Sequence, residues 1–366
     1  MQRSTTVTSL IAMGALAALV LSGCGAAPDP GETSGEAAST FIPCAVSDLT
    51  GFDDNDFNEL TYDGLKEAAS TLGVEPKAAE SASEDQYAGN IDALVAEGCN
   101  LVVTVGFALA TATRDAAKLN TDVDFALIDS AVTNDDFSPL VLDNVKPVLF
   151  DTAQAAVLAG YLAAGASKTG VVGTYGGMPF PSVTVFMDGF ADGVAHYNEV
   201  HGTSVQVVGW DKAAQNGLFV GSFDDQNQAK TITSGLLDQN VDVIMPVAGT
   251  LFKASIEAMK DRDSQGAIIG VNSDAFVSAP EYKEYYLTSV LKNLTTATRE
   301  VTLAAGAGTF DNSAYIGTLE NDGVGIAPAH EWESKLDPAL LAEVDQLKAD
   351  IISGAFVVDS PSSPKN

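Results

Sequence analysis

The chain has 366 residues, of which 46% are hydrophobic and 18% charged, and a formal net charge of −31. This length points to two domains, and the composition is globular rather than disordered. Such acidity excludes a phosphate-backbone partner, because a nucleic-acid binder needs a basic stripe; otherwise it describes a solvated, self-repelling surface.

At the N-terminus, Arg3 is the only charged side chain before Asp29. Residues 10–21, LIAMGALAALVL, form an apolar run of 12. That is shorter than the about 20 residues a spanning helix needs, and it suits the apolar core of an export signal. The tetrapeptide LSGC (21–24) follows and resembles the lipobox of bacterial lipoproteins, with cleavage before Cys24 and lipid on Cys24. Residues 1–23 therefore read as a lipoprotein signal peptide. Residues 24–39, small, polar and proline-bearing, read as a flexible tether to the membrane. The sequence has three cysteines. With Cys24 lipidated, Cys44 and Cys99 remain, both at the starts of expected strands. Adjacent parallel strands would bring them together, and an exported compartment permits the disulfide.

From residue 41 onward, short apolar runs alternate with longer helical patterns. FIPCAVSD, NLVVTVG and DFALID have the character of buried parallel strands. Helical segments at 56–72, 85–97 and 108–119 separate or follow them, giving a βαβ series. The apolar helix at 152–166 is a natural crossover to a second series. There TGVVGTYGG, SVQVVGW, VDVIMPVAG, AIIGVNSD and YYLTSVLKN are strand-like. An amphipathic helix at 337–353 closes the chain. Two doubly wound α/β lobes follow. In such sheets ligands sit at the carboxyl ends of strands, near helix N-termini. The informative positions are Asp48, Gly106, Asp129, Tyr175 to Gly177, Gly249 and Asn272 to Asp274.

Several chemistries fail on spacing. Asp54, Asp56 and Asn58 imitate a calcium loop, but Glu59 stands where the loop needs glycine and Leu65 where it needs glutamate. The three histidines, His196, His201 and His330, have no cysteine partners at zinc spacing. VGTYGG lacks the lysine and serine of a phosphate loop, and no G-x-S-x-G elbow occurs. No cofactor or metal is expected. The stretch SDLTGFDDNDFNEL (47–60) instead reads as a strand-to-helix corner. Asp48 ends the strand, one of Asp54, Asn55 or Asp56 caps the helix, and Phe57 and Asn58 occupy its first turn. Periodicity alone is equally compatible with Phe57 as a core residue.

The pieces SDLTGFDDNDFNELTYDGL, VVTVGFALATATRDAA, FALIDS, GGMPFPSVTVFMDGFADGV, VDVIMPVAGTLF, IIGVNSD, LTSVLKN and GVGIAP occur in this order. The chain in this respect resembles the basic membrane protein family, receptors similar to purine nucleoside receptor A. The resemblance implies a type I periplasmic-binding-protein fold, with lobes of residues 40–148 plus about 292–320 and 149–291 plus about 321–366. It implies a lipid-anchored, extracytoplasmic, monomeric binding component of an ABC importer, not an enzyme, that passes a nucleoside to a permease driven by an ATPase. The alternatives are an exported nucleoside-processing enzyme and a receptor for another small sugar-like ligand. The resemblance assigns Asp48, Asn58 and Asp129 to polar ligand contacts, Phe57 and Phe186 to base stacking (Phe190 as alternative), and Gly249 to close backbone approach. It assigns Lys292 and position 272 to the pair that holds ribose hydroxyls. The family usually reads GVDSD where this chain has GVNSD, so Asn272 stands in place of a carboxylate and is expected to pair more weakly with Lys292.

Overall fold

The computed structural model describes residues 41–365. The segments expected to be a signal peptide and a tether, with Cys24, lie outside the described residues. In chain order the first lobe begins with β1 (Pro43–Val46), α1 (Phe57–Leu72), β2 (Lys77–Ala79), α2 (Tyr87–Ala96), β3 (Leu101–Val105), α3 (Ala110–Leu119), β4 (Asp124–Ile128) and β5 (Val145–Phe150). The second lobe holds α4 (Thr152–Ala166), β6 (Val171–Gly176), α5 (Pro181–His201), β7 (Gln206–Val208), a small hairpin of β8 (Trp210–Asp211) and β9 (Asn216–Gly217), α6 (Gln226–Leu237) and β10 (Val243–Val247). It continues through α7 (Phe252–Lys260), β11 (Ala267–Asn272), α8 (Ala275–Ser278) and β12 (Tyr286–Lys292). The chain then returns with α9 (Leu294–Gly306) and β13 (Tyr315–Gly317), and crosses again to β14 (Val324–Ile326) and α10 (Pro338–Ser353).

The strands form two six-stranded sheets, ordered β13-β5-β4-β3-β1-β2 and β14-β12-β11-β10-β6-β7. Every pairing in them is parallel except β12 with β14. Central strands β3 and β10 are buried at every residue, which is why they read as unbroken apolar runs. Three short edge strands, β2, β13 and β14, and the proline-bearing β5 carry no such run. In β5 Lys146 and Pro147 together break the apolar run, and only three of its residues are buried.

Helix α4 is apolar on every side, and 12 of its 15 residues are buried, as such a helix must be. It packs on α5 at backbone distance. A Cβ at Gly160 would lie 2.1 Å from the Phe190 carbonyl oxygen, and one at Gly193 2.1 Å from that of Val157. In the first lobe α9 covers α1 in the same way, with Gly64 against the Thr295 carbonyl. These small residues set the helix spacing, because any side chain there would push two backbones apart.

The chain passes between the lobes at three places, around Asp151, around Asn293 and through residues 318–323. Hydrogen bonds lace them together. Asp151 N–H donates to the Gly317 carbonyl (2.8 Å), Asn293 N–H to that of Gly323 (2.9 Å), and Leu319 N–H to Gln154 Oε1 (3.0 Å). This three-stranded crossing is the hinge of the fold.

Cys44 and Cys99 form a disulfide with a Cα–Cα distance of 6.0 Å. Cys44 lies within β1, and Cys99 on the turn into its neighbour β3, so the bond staples adjacent strands. It closes a sequence separation of 55 residues, which restricts the unfolded chain. Replacing both cysteines with alanine is expected to cost about 2–4 kcal/mol in denaturant unfolding, while ligand affinity holds, since neither sulfur lines the cleft.

Candidate functional site

Strand ends from both sheets meet at one cavity of about 300 Å³. Its walls repeat a pattern in each lobe. Gly106 ends β3 and Gly249 follows β10; both have positive φ (100° and 53°), which only glycine adopts freely. Asp129 ends β4 and Asn272 ends β11, with φ of 63° and 64°. Aspartate and asparagine tolerate this left-handed conformation because their short polar side chains bond locally.

Asp48, Phe57, Asp129, Phe186, Gly249, Asn272 and Lys292 all line this cavity. Asn58 does not, which corrects its expected role as a ligand contact. It is fully buried and its amide is committed beneath the corner. Its Oδ1 accepts from Asp48 N–H (3.1 Å). Its Nδ2 lies within hydrogen-bond distance of Asp48 Oδ1 (2.8 Å), Thr50 Oγ1 (2.7 Å) and Asp54 Oδ2 (3.0 Å). Asn58 therefore positions Asp48. Thr50 adds two bonds to the same oxygen, from N–H (2.9 Å) and Oγ1 (2.7 Å). All these donors meet Oδ1, and Oδ2 lies on the Gly106 side.

The helix cap is Asp54. Its Oδ1 accepts from Asp56 N–H and Glu59 N–H (2.9 and 3.0 Å), and its Oδ2 from Asn58 N–H (3.0 Å). Asp56 occupies the N-cap position of α1 but makes no capping bond. Its carboxylate reaches the other lobe instead, accepting from Asn272 Nδ2 (2.9 Å) and Ser273 Oγ (3.2 Å). The expected pairing of Asn272 with Lys292 is thereby corrected. Lys292 forms its ion pair with Asp129, so two polar bridges cross between the lobes. Asn272 lies opposite Leu291 in the parallel register of β11 and β12, so the lobe-two ends of both bridges are neighbours.

Lys292 is almost fully buried, with aromatic rings of Phe57, Phe150 and Phe186 at 5.6, 5.8 and 4.9 Å from Nζ. The rings supply attraction that offsets part of the lost hydration. Phe186 is 1% exposed and closes the floor beside this ammonium. Phe190, the alternative, does not line the cavity and is core. Tyr175, at a strand end, turns into the second lobe and bonds Ser255 (2.8 Å).

Three phenylalanines of the cavity wall were not singled out from the sequence. Phe107 and Phe180 stack on each other at 4.7 Å and 24°, with Phe223 6.2 Å from Phe180, and all three line the cavity. Phe107 directly follows the strand-ending Gly106, and Phe180 lies four residues past Gly176. An aromatic just beyond a strand end was the available signal.

Among the acidic residues that line the cavity, Asp56 is buried and Asp48 and Asp129 are partly buried, and Lys292 is the one cation among the described lining residues. Burial pushes all three upward. Their hydrogen-bond donors oppose this for Asp48, and Lys292 opposes it for Asp129. Asp56 is raised to about 7, first by burial, with Asp54 adding repulsion and Asn272, Ser273 and Lys292 working against it. A raised carboxylate takes up a proton on folding, so its contribution to stability falls as pH rises from about 4 to about 7. One group changes stability by at most about 1.4 kcal/mol per pH unit in that window. Asp311, lowered to about 2 by Ser313 and Lys146, has the opposite sign but acts below the window. Thermal unfolding of the wild type is expected to shift to lower temperature between pH 5 and pH 7, and Asp56→Asn is expected to flatten that slope.

Comparison with known proteins agrees with this architecture. A nucleoside-binding protein of an ABC transporter from Lactococcus lactis, BmpA, is 26% identical over 98% of this chain and all of its own length. Basic membrane protein A of Borreliella burgdorferi is 28% identical over 84% of this chain and 85% of its own. A solute-binding protein of an ABC transporter system from Aeropyrum pernix has the same fold, with a TM-score of 0.76, 24% identity, and coverage of 87% of this chain and 94% of that one. The family model for PnrA-like ABC transporter substrate-binding proteins matches residues 42–360. The chain belongs to that family, the Bmp family of ABC transporter substrate-binding proteins, and is a binding protein rather than an enzyme.

Proposed function

We propose that this protein is a lipid-anchored extracytoplasmic receptor that binds a purine nucleoside between its lobes and delivers it to an ABC permease. One observation carries the reading. The cavity joins aromatic faces to carboxylates and a single ammonium, with no surplus of cations. A flat base takes the aromatic faces, each worth about 1–3 kcal/mol. Its N–H groups find an acceptor in Asp48, and sugar hydroxyls find Lys292, Asp129 and their neighbours. The nucleoside-binding relative from Lactococcus lactis supports the same ligand class. A phosphate group is disfavoured, because it would enter among six acidic lining residues with one lysine to receive it. Cys24 supplies the membrane anchor and residues 24–39 the reach to the permease. Closure at the triple crossing couples ligand capture to docking, as a monomer.

A thermal-shift panel of nucleosides, free bases and pentoses tests this. Purine nucleosides are expected to raise the melting temperature most. Bases or pentoses acting alone and as strongly would overturn the reading. Phe57→Ala is expected to weaken nucleoside binding by about 1–3 kcal/mol, and titration calorimetry is expected to find the 5′-monophosphate at least about tenfold weaker than its nucleoside. Equal affinities would remove the electrostatic argument.

A further inference from the structure

The N-cap position of a helix normally spends a polar side chain on the helix's own N–H groups. Asp56 occupies that position in α1 and makes no such bond, because Asp54 has taken the task. The Asp56 carboxylate is held away from its helix, 6% exposed, on the cavity wall. Each oxygen has one donor, and both donors, Asn272 Nδ2 and Ser273 Oγ, come from the opposite lobe. An ionised carboxylate has about four acceptor positions, so two remain. A Cβ added to Gly249 would lie 3.9 Å from Oδ2, so no side chain fills the space on that side. Asn272 is itself an amide and brings no charge. The acceptor at this corner is therefore supplied by the first lobe, from residue 56.

We infer that Asp56 is a specificity-determining residue of the cleft, whose carboxylate, oriented by Asn272 and Ser273, accepts from a vicinal pair of hydroxyls on the ligand. The inference rests on the nucleoside reading above and adds a preference, for ribonucleosides over their deoxy forms. Lys292, next to Asn272 on the adjoining strand, donates to the same hydroxyls, so above about pH 7, where Asp56 is ionised, the diol meets one donor and one charged acceptor. A ligand lacking one hydroxyl leaves a buried carboxylate position without its partner, which is costly.

The test is calorimetric titration of the full-length protein with adenosine, guanosine and inosine and their 2′- and 3′-deoxy forms, on wild type, Asp56→Ala and Asp56→Asn. Wild type is expected to prefer the ribonucleoside by about tenfold. Asp56→Ala is expected to bring the ratio to about twofold or less, and Asp56→Asn, which keeps one acceptor oxygen, to fall between. Uniform weakening of ribo and deoxy forms, with the ratio intact, would make Asp56 only a bridge between lobes and overturn the inference. A wild type that binds nucleosides without preferring the diol would also overturn it, leaving the nucleoside function in place. A wild type that binds none of these ligands would sink the function, and the role of Asp56 with it. Should Asp56→Ala fail to fold, the nearly isosteric Asp56→Asn decides by the same ratio.

Discussion

A charge removed from water must find partners inside the protein, and the cleft is organised by that constraint. Asp56 and Lys292 are buried, and Asp48 and Asp129 partly buried, where the lobes meet. Asp48 is held by Thr50 and Asn58 of its own lobe, whereas the other three reach partners across the gap. Asp129 finds Lys292, and Asp56 finds Asn272 and Ser273, each across the gap. These contacts between the lobes satisfy polar groups that would otherwise lack partners. Residues outside the cavity serve the same end. Asn58 spends its whole amide fixing Asp48 and Asp54, and Asp54 caps α1 so that Asp56 need not. The acidic stretch at 48–56 divides its labour among three carboxylates: one for the ligand pocket, one for the helix, one for the opposite lobe.

The position of Lys292 gives these contacts mechanical reach. It is the last residue of β12, and Asn293 beside it is one of the three places where the chain crosses between lobes. A shift in the Asp129–Lys292 pair is therefore a shift within one residue of the hinge. Asn293 N–H is bonded to the Gly323 carbonyl of another crossing, so the movement is shared. Coupling between ligand and hinge needs no long pathway here.

Much of the architecture was legible because central parallel strands are apolar throughout and helices carry a 3.6-residue period. The strand-end rule then located Asp48, Asp129, Asn272 and Gly249 from chain order alone. The short edge strands and β5 were not legible, since three residues carry no period and Lys146 and Pro147 interrupt the run. At the site, the identity of residues was more readable than their partners. Asn58 and Phe57 are adjacent in the first turn of α1 and look equivalent, but one faces the cavity and the other lies beneath the corner. The pairing of Asp56 with Asn272 spans 216 residues and exists only because the lobes meet. No local pattern encodes it. Asp54 rather than Asp56 as the cap follows from backbone angles that the DDND run leaves open.

The threefold passage of the chain between lobes also fixes the order in which the molecule can be completed. Five strands of the first sheet have been synthesised by Phe150, but the sixth, β13, begins at Tyr315 and shields the edge of β5. Helix α9, which covers α1, begins at Leu294. Until those segments emerge, the first lobe presents an open strand edge and an uncovered apolar helix face, the features that invite wrong association. The N-terminal half therefore cannot mature ahead of the rest. A truncation between residues 306 and 315 removes only the edge strand of a lobe that is otherwise fully encoded.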